Sequence, residues 1–202
     1  MQLIRPATEH LAAYTAALRC GWSPSNVRGA PAAAEELARI AADAADVLRW
    51  MDDPLGAGPK VTLPDGSPAK RIPSLRRWLW ADDADLNAVH DTETADRELL
   101  RFIGMISLRW LPGNAPLPPH VLGHIGYAIA PWHAGRGHAS AALAQMLPVA
   151  RAHGLDHVEI TTDTHNIASQ RVVLRCGGVL VEEFDKGAAY GNMPGLRYRI
   201  DL

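Results

Sequence analysis

Residues 122–140, Leu122-Gly-His-Ile-Gly-Tyr-Ala-Ile-Ala-Pro-Trp-His-Ala-Gly-Arg-Gly-His-Ala-Ser140, decide the fold. They read as a buried strand from Leu122 to Ala130, a stop at Pro131, and a turn holding Gly135 and Gly137. A helix opens at His138. A strand that feeds a glycine turn and then a helix start leaves first-turn N–H groups without intrahelical partners, at the positive end of the helix dipole. Such a terminus binds anions with its backbone. Glycine admits a phosphate without a Cβ in the way, and Arg136 can add a mobile positive charge. The same residues also serve a turn that joins strand to helix for conformational reasons alone. Neither common phosphate fingerprint fits: no Gly-Lys-Ser/Thr follows, and Gly135-Arg136-Gly137 lacks the third glycine of a dinucleotide site.

The chain has 202 residues, enough for one domain to bury a core without staples. It is 48% hydrophobic and 21% charged, ordinary for a globular protein. A net charge of −2 and a pI near 6.5 give no footprint for nucleic acid or an anionic membrane. Cys20 and Cys176 lack metal-type spacing and read as small buried residues of a reducing compartment, with no metal expected. No basic region followed by an apolar run marks the start, and no stretch reaches the ~18 apolar residues of a membrane span. A cytoplasmic location follows by default.

Outward from the central stretch, Leu3-Ile4-Arg5 reads as a short strand stopped by Pro6, and Thr8 as the cap of a helix through Leu11, Tyr14 and Leu18. Pro31 suits a first helical turn, after which Leu37, Ile40, Ala44, Val47, Leu48 and Met51 recur at helical spacing. Residues 54–74 are dense in Pro and Gly and read as a long loop with a Pro64-Asp65-Gly66 turn. Trp78-Leu79-Trp80 suggests a strand, residues 84–97 a turn or hairpin, and Phe102 to Leu108 a further strand. Beyond the glycine turn, Ala139, Leu143, Met146, Leu147 and Ala150 mark a helical face, with Pro148 expected to kink its last turns. Val158 to Thr162 alternates like a strand, Asn166 or Thr164 can cap a short helix, and Val179 to Val181 and Leu196 to Ile200 close the chain as strands. This order predicts a mixed α/β (α+β) fold, antiparallel in the middle, with a parallel neighbour after the late helical crossover.

The turn resembles the acyl-CoA loop of the GNAT-type N-acetyltransferases, Arg/Gln-x-x-Gly-x-Gly/Ala, which follows the fourth strand and opens a main helix. Gly135-Arg136-Gly137 carries the glycine part, while Trp132 stands where the family has Arg or Gln. A second block agrees at the expected distance: Asn166-Ile167-Ala168-Ser169, then Val172 and Cys176-Gly177-Gly178, with Gly178 in place of the family's Phe. The likeness covers residues 100–202 well and the first hundred loosely. It implies the GNAT fold, a mostly antiparallel sheet of about seven strands flanked by helices, in a single domain over 1–202. Residues 1–120 would form the acceptor side and 121–202 the acetyl-CoA side. The implied donor site has Tyr127, Ala128 and Ile129 along the pantetheine arm, and Ala134, Gly135, Arg136, Gly137, His138, Ala139 and Ser140 around the pyrophosphate. Asn166 and Ser169 follow from the next helix, where Asn166 can also be simply a cap.

The implied activity is transfer of an acetyl group from acetyl-CoA to a primary amine of a small molecule or protein in a direct ternary complex. It needs a proton acceptor for the amine, a donor to the thioester carbonyl and an acid for the leaving thiolate. His124, on the cofactor strand, is the first candidate base, and a histidine bonded within the sheet is its other reading. Glu159 is the second. Val173 stands where relatives carry an acidic Tyr, which leaves the acid open between Tyr190 and water. Trp78, Trp80 and Trp110 are either core or a cation-binding wall, and Asp82 and Asp83 either attract an amine or are solvated. A homodimer is compatible with all of this. The alternative from another class is a GNAT-like module that binds acyl-CoA as a sensor or interaction partner without turnover.

Overall fold

The computed structural model describes residues 1–82, 86 and 94–202. In chain order the strands are β1 (Gln2–Ile4), β2 (Asp52–Asp53), β3 (Val61–Thr62), β4 (Pro68–Ala69), β5 (Ser74–Trp80), β6 (Phe102–Arg109), β7 (Ile125–Ile129), β8 (His157–Asp163), β9 (Val179–Asp185) and β10 (Pro194–Asp201). The helices are α1 (Leu11–Arg19), α2 (Ala30–Arg49), α3 (Thr94–Arg101), α4 (His138–Ala152) and α5 (Ile167–Arg175). The chain resolves into two compact units: Met1–Asp52 with Arg76–Ile106 and Tyr127–His138, and Asp53–Leu75 with Ser107–Gly126 and Ala139–Leu202. Each unit draws chain from both sides of residue 120.

The first unit is organised by the strand order β1-β5-β6-β7. β1 pairs antiparallel with β5 in the register Leu3 to Leu79. Its core gathers Tyr14, Trp22, Trp78 and Phe102 with Ala13, Ala17, Leu18, Val47, Met51, Ala128 and Ala130. Tyr14 stacks on Trp78 at 4.4 Å between ring centroids, and Phe102 meets Trp22 edge-on at 4.7 Å. Offset and edge-on pairs of this kind add to burial because the ring quadrupoles are complementary. Trp78 is therefore core and no binding wall, and Trp80 packs against the same cluster. The Tyr14 hydroxyl donates to the buried carboxylate of Glu36 at 2.9 Å, and Arg76 and Arg39 approach that carboxylate at 3.3 and 3.4 Å. Burial first, then the negative field of Glu36, pushes the Tyr14 phenol well above its ordinary value.

The second unit holds the antiparallel order β8-β10-β9. β8 alternates strictly: Val158, Ile160 and Thr162 are buried, while His157, Glu159 and Thr161 lie on the opposite face. Tyr198 pairs with Ile160 and Arg199 with Glu159, so β10 carries the same division. Trp110 is buried here against His153, at 4.1 Å between rings, again as core. Val173 is wholly buried, and a Cβ on Gly178 would sit 2.4 Å from its Cγ1, which is the spatial reason for glycine at that position. The 54–74 stretch contains the small hairpin β3–β4, and Asp53 braces its start by accepting the N–H groups of Ala57 and Gly58, both at 2.9 Å.

Several expectations shift. Thr8 opens a short 3-10 turn and makes no side-chain cap, and Cys20 is exposed rather than buried. α3 covers 94–97, where a turn or hairpin was expected, and most of that expected segment, with Asp83, lies outside the described residues. Asp82 accepts a bond from the amino group of Met1 at 3.2 Å.

Gly104 fixes the approach of β6 to β7: its φ is +156°, and an added Cβ would lie 2.3 Å from the Ala128 carbonyl oxygen. Neither neighbour is a movable side-chain tip, so Gly104→Ala is expected to cost about 2–3 kcal/mol. A lowered urea midpoint at unchanged slope would register it; an unchanged midpoint would show that the strands separate freely there.

Candidate functional site

The glycine turn keeps the conformation its sequence suggests. Pro131–His133 form a 3-10 turn, Gly135 and Gly137 take φ values of +76° and +81°, and α4 begins at His138. A Cβ at either glycine would meet nothing within 4 Å, so glycine is required by left-handed backbone and the space above the turn stays open. Ala134, Arg136, His138, Ala139 and Ser140 belong to this turn and the first turn of α4. His133 is buried, with Nε2 2.9 Å from the Leu100 carbonyl, and this ties the turn's entry to the end of α3.

β7 has two unlike edges. Ala130 N–H donates to the Ile103 carbonyl at 2.8 Å, and Ala128 presents its carbonyl to Gly104, so both residues turn their backbone toward β6. Strand alternation then directs the backbone groups of Tyr127 and Ile129 to the opposite edge. Of the three residues expected along a donor arm, Tyr127 and Ile129 face that edge and Ala128 does not; its side chain is in the core. In the second unit, Asn166 caps α5 by accepting the Ser169 N–H at 3.0 Å. The cap reading of Asn166 is thus realised, and Ser169 is its partner.

His124, Glu159 and Tyr190 come together within the second unit. They line one cavity of about 620 Å³ with His120, His157 and Arg197 among its polar walls and the proline-rich segment Pro116–Val121 on its apolar side. Arg197 forks between two carboxylates, 3.5 Å from Glu159 and 3.4 Å from Glu182, with its guanidinium 4.6 Å from the Phe184 ring centre. That ring and two acids hold the guanidinium fixed on the cavity face. The Tyr190 hydroxyl donates to the His120 carbonyl at 3.0 Å and His120 Nε2 lies 3.0 Å from the Lys70 carbonyl, which fastens the proline segment to the late loop. Burial raises the Tyr190 phenol, so it keeps its proton. Period two would have pointed to His157 and Arg197 as companions of Glu159; the wall at 116–121 carries no motif.

His124 is bonded through both backbone and ring. Its N–H donates to the Glu159 carbonyl at 2.7 Å, and its Nδ1 accepts the Glu159 N–H at 2.9 Å. The ring proton therefore sits on Nε2, and the one lone pair a base would need is engaged in the sheet. Burial, then the positive fields of His157, Arg109 and Arg197, lowers its pKa to about 4. The geometry makes His124 a neutral donor, while Glu159, like Asp185, brings a carboxylate to the cavity wall.

Among the described residues no group of His, Cys, Asp and Glu could hold a metal ion, and no helix is long and apolar enough to cross a membrane.

A native pKa near 4 against an unfolded value of about 6.5 means the unfolded chain binds the extra proton first. The stability from neutral His124 is complete above about pH 6.5 and is lost as pH falls toward 4. The His124 Cε1–H NMR signal should titrate near pH 4, and His157→Gln should move that midpoint upward; titration at the ordinary value would refute the burial argument.

The acetyltransferase (GNAT) domain family matches residues 27–179. Among solved structures, the chain is similar to a Vibrio cholerae protein assigned as a ribosomal-protein-serine acetyltransferase. That match has 14% identity, TM-score 0.54, and covers 100% of this chain and 93% of the other. It is similar also to the microcin C7 self-immunity acetyltransferase MccE, solved with acetyl-CoA and AMP, at 14% identity and TM-score 0.52 over 99% and 91% of the two chains. An Agrobacterium tumefaciens acetyltransferase follows at 18% identity and TM-score 0.50 over 99% and 90%. These likenesses speak for the fold. No curated protein matches at significance. With a family match over more than half its length, on antiparallel sheets flanked by helices and with a strand that leads through a glycine turn into a helix, the chain belongs to the GNAT acetyltransferases.

Proposed function

We propose that residues 1–202 act as one acetyltransferase domain that moves an acetyl group from acetyl-CoA to a primary amine of a small molecule or protein, by direct transfer in a ternary complex. The observation that carries the reading is the turn at Gly135–Gly137: left-handed glycines, open space above them, and a helix N-terminus directly behind. That arrangement fits a pyrophosphate, because the backbone donors and the dipole favour two adjacent anionic groups. Arg136 supplies a flanking cation. Tyr127 and Ile129 offer the outward edge of β7 to the amides of the donor's arm, in the manner of an added strand.

Acetyl-CoA supplies an activated thioester when bound; the remaining chemistry falls to side chains. His124 immediately precedes β7 in the chain. Glu159 takes the proton from the acceptor's ammonium group; the neutral amine can then form the C–N bond as the thioester C–S bond breaks, and the leaving thiolate is protonated by Tyr190 or water. His124 donates from Nε2 and orients the acceptor. It stays neutral across the working pH range, so it does not repel a cationic amine. Arg197 holds Glu159 in one orientation. Tyr190 fastens the cavity wall and retains its proton, the acid role being left to it or to water.

Calorimetric titration with acetyl-CoA, with ATP and NADH as controls, tests the donor. Saturable binding of acetyl-CoA alone is expected, with Arg136→Glu weakening it about tenfold; no binding to folded protein would remove the reading. With a panel of primary amines and detection of the released thiol, Glu159→Gln is expected to lower turnover by about 10²–10⁴ while acetyl-CoA affinity holds. Unchanged turnover would take the base role from Glu159.

A further inference from the structure

Within the first unit, the connection between α1 and α2 reaches the outward edge of β7. The Asn26 side chain donates from Nδ2 to the Tyr127 carbonyl at 3.1 Å. That carbonyl lies on the edge turned away from β6, since Ala128 and Ala130 supply the groups that face β6. The turn that presents Asn26 is built without it. Trp22 is buried against Tyr14 and Phe102 and its N–H donates to the Ala17 carbonyl at 3.0 Å. Ser23 Oγ donates to the Gly29 carbonyl at 2.7 Å and accepts the Ser25 N–H at 3.1 Å. Ser25 Oγ accepts the Arg28 N–H at 3.0 Å, and the Gly29 N–H returns to the Ser25 carbonyl at 2.9 Å. Asn26 itself is exposed and contributes nothing to that internal ring of bonds.

We propose that Asn26 gates the donor strand: its amide occupies the edge carbonyl of Tyr127 that an acyl donor's arm requires, and donor binding must displace it. The inference rests on the reading of β7 as the donor strand. A strand-like arm brings its amide N–H groups to the carbonyls of this edge, and a side-chain amide already donating to the Tyr127 carbonyl competes with them for its lone pairs. An exposed, neutral amide–carbonyl bond is weak enough to be displaced, yet strong enough to lower affinity measurably. Because Ser23 and Ser25 hold the turn, truncating Asn26 takes its amide donor away from the Tyr127 carbonyl and leaves the turn in place.

The test is calorimetric titration of the full chain with acetyl-CoA and, separately, with CoA, for the wild type, Asn26→Ala and Asn26→Ser. Both variants are expected to bind both probes about three- to tenfold more tightly than the wild type, the span of one net hydrogen bond. Binding detectable only in the variants supports the gate equally. Equal or weaker affinity in both variants overturns it, because a clamp or a merely structural residue would not tighten binding on removal; the donor-strand reading then survives. If neither wild type nor variants bind acetyl-CoA or CoA, that reading falls and the gate falls with it.

Discussion

The pairing of β7 constrains everything built around it. One edge of the strand is saturated by β6, at a distance that leaves no room for a Cβ on Gly104. Strand geometry then forces Tyr127 and Ile129 to present their backbone groups on the other side. A strand with one closed and one presented edge is a template for an extended molecule. The side chains follow from the same alternation. Ala128 is small because it points into an aromatic core of Tyr14, Trp22, Trp78 and Phe102, and Ala130 ends the strand there before Pro131 stops it.

Electrostatics in the second unit show how a sheet can disable one titratable group and present another. His124 and Glu159 are joined twice, through a backbone carbonyl and through the imidazole ring. The bond to Nδ1 fixes the tautomer, and burial beside His157, Arg109 and Arg197 removes the option of charging the ring near neutrality. Glu159 lies on the opposite side of the β8 alternation from Val158 and Ile160, so its carboxylate reaches the cavity and meets Arg197. An arginine with two carboxylates and an aromatic ring is held in place by geometry as much as by charge.

Much of the architecture was legible because it rests on local rules. Periodicity located the strands at 102–109, 157–163 and 194–201, and the turn chemistry of Gly135 and Gly137 fixed the loop conformation that precedes α4. Asn166 was readable as a cap from residue type and position. Pro148 lies inside α4, which runs on to Ala152 on a face of buried Leu143, Met146 and Ala150. Trp78 and Trp110 could be read as wall or core, and only their neighbours decide between the two.

The sequence by itself determined the principal strands and helices, the glycine turn and the family, since each depends on residues adjacent in the chain, but not α3 or the β3–β4 hairpin. Only tertiary structure decided that His124 is a neutral donor, that Tyr190 is engaged with His120, and that Asn26 meets Tyr127. Those contacts join residues 35, 70 and 101 positions apart. A side chain's protonation and hydrogen-bonding role is set by the groups that replace water around it, and those groups are named only when the chain has folded.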